Sequence, residues 1–271
     1  MPATNAALTL AAAVTLMTLD PSASRTPGPV SVPQTASSSS GNTWVIFLDD
    51  LHLDFKATGH IRTLFTTITK QLIQDGDLYA VVSNGPSSIA IDLTRDRAPL
   101  DDAAKKISGA ALKPSEIVAE GYPSETRYRA HLAFATAYEV MKNLALMPSQ
   151  RKAFIYVSNG YDLDVWPGTT TNTGTNPFSL KGTEFSIERL RDEVAELTSQ
   201  AKRSHVSIYG IDPRALSRPP EIDPKVDAVT WQRYWTTTRR SLEVIAEETG
   251  GFVIQDNLEE GLNHILNALR R

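Results

Sequence analysis

From residue 43 onward, short apolar runs alternate with longer segments whose apolar residues recur every three or four positions. The run Trp44-Val45-Ile46-Phe47-Leu48 contains no turn residue and opens directly onto Asp49, Asp50, His52 and Asp54. Such a run reads as a strand buried on both faces. Leu78–Val82, Ser88–Leu93, Ala153–Val157, Val206–Ile211 and Phe252–Ile254 read as further strands. Ile61, Leu64, Phe65, Ile68, Leu72 and Ile73 have helical spacing and predict a helix over Thr58–Ile73. Helices are also predicted over Asp101–Ile107, Arg127–Leu146, Ser186–Lys202, Arg239–Thr249 and Leu258–Leu269. Asp75-Gly76-Asp77, Ser158-Asn159-Gly160 and Gly250-Gly251 punctuate the pattern, and Asn84-Gly85-Pro86 turns the second strand back into the third as a hairpin. Strands alternating with helices imply an α/β fold: three layers, doubly wound, with a mostly parallel sheet and one antiparallel edge strand.

The first 42 residues follow a different pattern. Ala6–Leu19 is apolar apart from Thr9, Thr15 and Thr18, and Ser22-Ala23-Ser24 supplies small residues for cleavage. That run is short for a bilayer span and fits the core of a signal peptide over residues 1–24. The n-region lacks Lys and Arg, the first cationic side chain being Arg25. Residues 25–42 are rich in Ser, Pro and Thr, as linkers are, and a single domain is expected over 43–271. The reading is of a secreted, periplasmic or cell-envelope protein, with no stable membrane span in the mature chain.

Composition narrows the chemistry. The 271 residues carry a net charge of -4, which argues against a nucleic-acid partner, since phosphate binding needs a basic face. The chain has no cysteine, which excludes disulfides, Cys-ligated zinc and thiol catalysis. Ligands of open α/β sheets bind outside the carboxyl ends of the strands, which is where the acid cluster after Leu48 falls. Two long loops, Tyr161–Phe185 and Asp212–Thr236, are expected at the same edge. They carry Trp166, Trp231, Tyr234 and Trp235, residue types that anchor protein interfaces, and these are the candidate partner-binding residues. The alternative is that these rings pack the loops onto their own domain.

Several stretches, in order, resemble a von Willebrand factor A-type domain over roughly Thr43–Arg271. They are Val45–Asp49, Asp75–Val82, Phe154–Asp162, Val206–Ile211 and Leu242–Gly251. The Asp49-Asp50-Leu51 variant and the long loops look closest to the VWFA-related proteins of bacteria such as acidobacteria. The resemblance implies a protein-binding or adhesive module. It also implies a metal-ion-dependent adhesion site, in which an Asp-x-Ser-x-Ser run, a middle Thr and a later Asp hold Mg²⁺ and a partner's acidic residue completes the coordination. Asp49 matches the first ligand, Thr126 (or Ser124) the middle hydroxyl, and Asn159 stands where the later Asp would be. Leu51 and Leu53 replace the two serines. Either the metal site is lost, with Asp49 kept to accept backbone N–H groups, or it is rebuilt for another divalent cation. In the second case Asp50, His52 and Asp54 would alternate along an extended segment and share one side.

An enzyme is the competing class. Asp49 and Ser158 would suit a phosphohydrolase of the haloacid-dehalogenase type, but Leu51 stands where a second Asp is required. No phosphate-binding Gly-rich loop, Gly-x-Ser-x-Gly elbow or His-Glu-x-x-His helix is present. The expectation is therefore a non-enzymatic binding module, with a metal-free scaffold of the cell envelope as the third option.

Overall fold

The computed structural model describes residues 41–117, 124–147, 151–163, 176–179, 185–216 and 225–270. The expected signal peptide, most of the linker, Trp166 and most of the expected loop Tyr161–Phe185 lie outside the described residues. Six strands form one sheet in the order β3-β2-β1-β4-β5-β6. They are β1 (Thr43–Leu48), β2 (Leu78–Ser83), β3 (Ala90–Thr94), β4 (Lys152–Val157), β5 (Val206–Ile211) and β6 (Val253–Ile254). All pairings are parallel except β2 with β3, the expected antiparallel edge. Every residue of β1 and β4 is buried, because both sheet faces are covered and neither strand lies at an edge.

Helices α1 (Thr58–Leu72), α2 (Pro99–Lys106) and α7 (Leu258–Arg270) cover one face. Their apolar stripes meet Trp44, Ile46, Leu48, Ile155 and Val157. A short α3 (Pro114–Ile117) lies between the predicted helices at Asp101–Ile107 and Arg127–Leu146, where the breakers Pro114, Gly121 and Pro123 predict mostly loop over Ser108–Glu125. Helices α4 (Ser124–Ala145), α5 (Ile187–Arg203) and α6 (Ala228–Glu247) close the other face over Val45, Phe47, Phe154 and Tyr156. Alternate residues of β1 thus feed two separate cores, as the period of a strand requires.

One expectation is overturned. The segment read as a loop to Thr236 becomes helix at Ala228, where the Asp227 carboxylate caps the Thr230 N–H at 2.9 Å. Trp231, Tyr234 and Trp235 therefore stand on α6, not in a loop. Their spacing of three and four residues continues into Thr238 and Leu242, both buried, and that periodicity outweighs the turn-forming residues before it.

The amino edge of the sheet is tied down by Asp77. Its carboxylate accepts the Asn42 N–H at 2.7 Å, the Gln74 N–H at 2.9 Å and the buried Trp44 indole N–H at 2.8 Å. Removing it would leave these donors unpaired, each costing on the order of 1 kcal/mol or more. Asp77→Ala is expected to lower unfolding free energy by about 3 kcal/mol in denaturant titration, with no change in the properties of the opposite edge.

Candidate functional site

At the carboxyl edge the chain leaves β1 through a tight turn. The His52 N–H donates to the Asp49 carbonyl at 2.9 Å, so residues 49–52 are folded back on themselves. This overturns the expected extended alternation of Asp50, His52 and Asp54. The turn returns the His52 ring to Asp49, sends Asp50 toward the β2–β3 turn and leaves Asp54 exposed. Asp54 caps a short 3-10 turn through the Lys56 N–H at 2.9 Å. Leu53 is buried in the core beneath.

Asp49 is fully buried and both its oxygens are taken. Oδ1 bonds His52 Nδ1 at 2.9 Å and accepts the Asn84 amide at 2.7 Å. Oδ2 accepts the Ser158 hydroxyl at 2.7 Å and the Tyr161 hydroxyl at 2.5 Å. The expected backbone donors are thus replaced by side chains from four places: the turn after β1, the end of β2, the end of β4 and the segment beyond it. Tyr156 extends the network to the Tyr161 hydroxyl at 2.5 Å. Burial opposes ionisation of Asp49, but the His52 charge and the hydrogen bonds from His52, Tyr161 and Asn84 outweigh it and hold the carboxyl below its ordinary range. Burial and the Asp49 charge push the Tyr161 and Tyr156 hydroxyls well above theirs.

Asp50 is buried too, but only partly satisfied. Oδ2 accepts the Ser87 N–H at 2.7 Å, while Oδ1 has no hydrogen-bond partner. Burial pushes its carboxyl up to about 6 against the Ser87 bonds, and the Asp49 charge adds to the rise. Gly85 is required beside it, since a Cβ there would stand 2.7 Å from Asp50 Oδ1.

Asn159 is half-buried, and its backbone carbonyl accepts from Arg214 at 2.5 Å. The Arg214 guanidinium also pairs with Asp212 at 2.7 Å and lies 5.1 Å over the Trp235 ring. The turn at Asn159-Gly160 packs directly on α6. Gly160 has φ +73°, and a Cβ on it would meet the Thr238 carbonyl at 2.0 Å. Trp231 and Tyr234 stack at 5.0 Å, and burial pushes the Tyr234 hydroxyl up to about 12. Thr126, in the first turn of α4, is buried with its hydroxyl unpartnered. The side chain of Ser124, its alternative, lies outside the described residues. A narrow cleft of about 10 Å³, room for about one water, is lined by His52, Thr126, Arg127, Tyr161, Asp162 and Tyr234.

These residues do not fit a Mg²⁺ ion bound to Asp49. A hard cation needs several oxygens with free lone pairs. Asp49 has four donors on its two oxygens, and Leu51 and Leu53 contribute none. Among the described residues, no three His, Asp or Glu side chains converge as a metal-binding group. Of the expected site residues, Asp49 and His52 are in contact, Thr126 and Tyr234 share the cleft with His52, and Asp50 and Asp54 point elsewhere. Ser158, weighed in the sequence only beside Asp49 for a phosphohydrolase, is a donor to Asp49, and Asn84, Tyr161 and Arg214 join the site without a signal of their own as site residues. Asn84 and Ser158 are turn formers at strand ends, and that position is the signal the sequence offers for them. No protein-family model matches the chain, and no curated protein matches it significantly.

The two acids predict opposite pH responses. Asp49 has a depressed folded pKa, so its contribution is present above the unfolded value near 4 and is lost as pH falls through the folded one. Asp50 has a raised folded pKa, so its charge costs stability at neutral pH, and stability should rise as pH falls from about 6 toward 4. In urea titrations across this range, Asp50→Asn is expected to flatten that rise, worth about 1–3 kcal/mol. Asp49→Ala is expected to lose at least about 3 kcal/mol at neutral pH, because four donors lose their acceptor.

Proposed function

We propose that the chain is an exported binding module of the von Willebrand A type that engages a protein partner at the carboxyl edge of its sheet without a metal ion. The observation that carries this reading is where large apolar side chains remain exposed. Among the described residues these are Phe55, Tyr128, Leu146 and Val229. Phe55 follows β1, while Tyr128 and Val229 sit in the first turns of α4 and α6, so all three lie at the carboxyl edge. Three exposed apolar groups at one edge, against a single one at the other, support that edge as the interaction surface. Tyr128 packs on Phe185, and a stacked Trp231–Tyr234 pair stands near the start of α6. Leu146, at the end of α4, is at the opposite edge.

The saturated Asp49 supports the metal-free part of the reading. The same four hydrogen bonds disfavour Asp49 as a phosphohydrolase nucleophile, since attack would require breaking them. Among the described residues no helix is long and apolar enough to cross a membrane.

Calorimetric titration with Mg²⁺, Mn²⁺ and Zn²⁺ is expected to give no binding heat, with Asp49→Ala indistinguishable from the parent. Saturable binding abolished by Asp49→Ala would overturn the metal-free reading. For the binding face, a photo-cross-linking residue is placed at Phe55, Val229 or Leu146 in producing cells. Adducts are expected from the first two positions and not from Leu146. No adducts, or equal yield at Leu146, would remove the carboxyl edge from consideration.

A further inference from the structure

The sheet has one long open edge. β3 bonds β2 on one side, and among the described residues no strand pairs with its other side. The opposite edge, β6, is only two residues long. An edge strand presents a row of N–H and C=O groups that another extended segment can pair with, and proteins tend to cover such edges. Beside β3 runs an open groove of about 490 Å³, between Ser88–Ile91 and α2. Ile89 and Ala103, both buried, give it an apolar floor next to the half-buried Ile91, and the exposed Asp102 and Lys106 border it. A groove between an edge strand and a helix suits strand addition: the edge supplies main-chain bonds and the groove takes alternate side chains.

The chain itself supplies such a segment. Residues 1–40 lie outside the described residues, and within them stands Pro29-Val30-Ser31-Val32-Pro33. Two β-branched residues alternate with a serine, so in a strand both valines would face one side. The proline after Val32 biases that residue toward extended backbone. Pro29 and Pro33 have no N–H, which suits an outermost strand and stops further strands from adding.

The point of entry also fits. A Cβ on Gly41 would stand 2.3 Å from the Gly76 carbonyl oxygen, and that oxygen accepts from Arg95 Nε at 3.3 Å. Arg95 directly follows β3, so the chain enters the domain beside the end of that strand. Residues 34–40, fully extended, span up to about 25 Å. That exceeds the roughly 17 Å length of the five-residue β3. A tether this short holds the segment at an effective concentration on the order of millimolar, ahead of any partner in solution. A second copy is the weaker occupant. Antiparallel pairing of two β3 strands about their middle residue would set two Asp92 side chains opposite each other.

We infer that residues 29–33 pair with the open side of β3 as a seventh strand, with Val30 and Val32 in the groove against α2. The strand is parallel to β3, because β3 runs toward the edge where Gly41 enters. The segment then serves as a built-in cover that closes the sheet to strands from other chains. This is independent of the partner-binding reading of the carboxyl edge.

The test follows amide hydrogen exchange in β3 of the whole chain, beside a Val30→Asp/Val32→Asp variant. The β3 amides that face away from β2 are expected to exchange at least about tenfold faster in the variant, at every protein concentration, with β6 unchanged. The chain has no cysteine, so engineered pairs report contact without background. Ala98→Cys is expected to form a disulfide with Val30→Cys or Val32→Cys at least about tenfold faster than with Ser31→Cys, which faces away. Equal exchange in parent and variant, or equal cross-linking at position 31, would overturn the inference. Protection of β3 that grows with protein concentration would overturn it in favour of a second copy.

Discussion

A fully buried carboxylate has to be compensated where it stands, and the carboxyl edge of this sheet is arranged around that requirement. Asp49 lies at the end of a central strand with no exposure to water. An isolated charge in that position would be strongly destabilising. Asn84 from the end of β2, Ser158 from the end of β4, Tyr161 beyond it and His52 from the turn supply one bond each. Three strands and the path of the chain after them are therefore fixed by one side chain. Removing any donor leaves a charge short of its partners, so this edge behaves as a unit.

That closure has a functional consequence. A carboxylate whose lone pairs are filled by protein donors is unavailable to a cation, and the leucines at positions 51 and 53 add no ligand to replace it. Arg214 adds a permanent positive charge to the same edge, bonded to the Asn159 carbonyl and Asp212. Asp50 provides the contrast. One of its oxygens is satisfied and the other is not, so proximity in sequence to Asp49 gives it neither the same environment nor the same protonation behaviour.

The scaffold is written in the hydrophobic pattern of the chain. Runs such as Trp44–Leu48 and Ala153–Val157 have no polar residue to place on a wet face, so they had to be central strands. Asn84-Gly85-Pro86 announced the hairpin, and the antiparallel β2–β3 edge followed. The site was legible only in part. Asp49 stood out as the first acid after a buried strand, but its partners come from positions 84, 158 and 161, far apart in the chain. The turn at residues 49–52 was missed because alternating Asp, His and Asp residues look the same in an extended strand and in a turn. The early start of α6 was missed because the prolines and charged residues preceding it concealed the three- and four-residue spacing of Trp231, Tyr234, Trp235 and Thr238.

The sequence by itself determined the class of fold, the order of strands and helices and the absence of thiol chemistry, because hydrophobic periodicity and residue type act locally along the chain. Tertiary structure alone decided which lone pairs remain free, which of two neighbouring acids keeps its charge to lower pH, and which buried hydroxyl is left without a partner. Those properties depend on desolvation and on donors brought together from distant segments, and neither quantity is defined until the chain has folded.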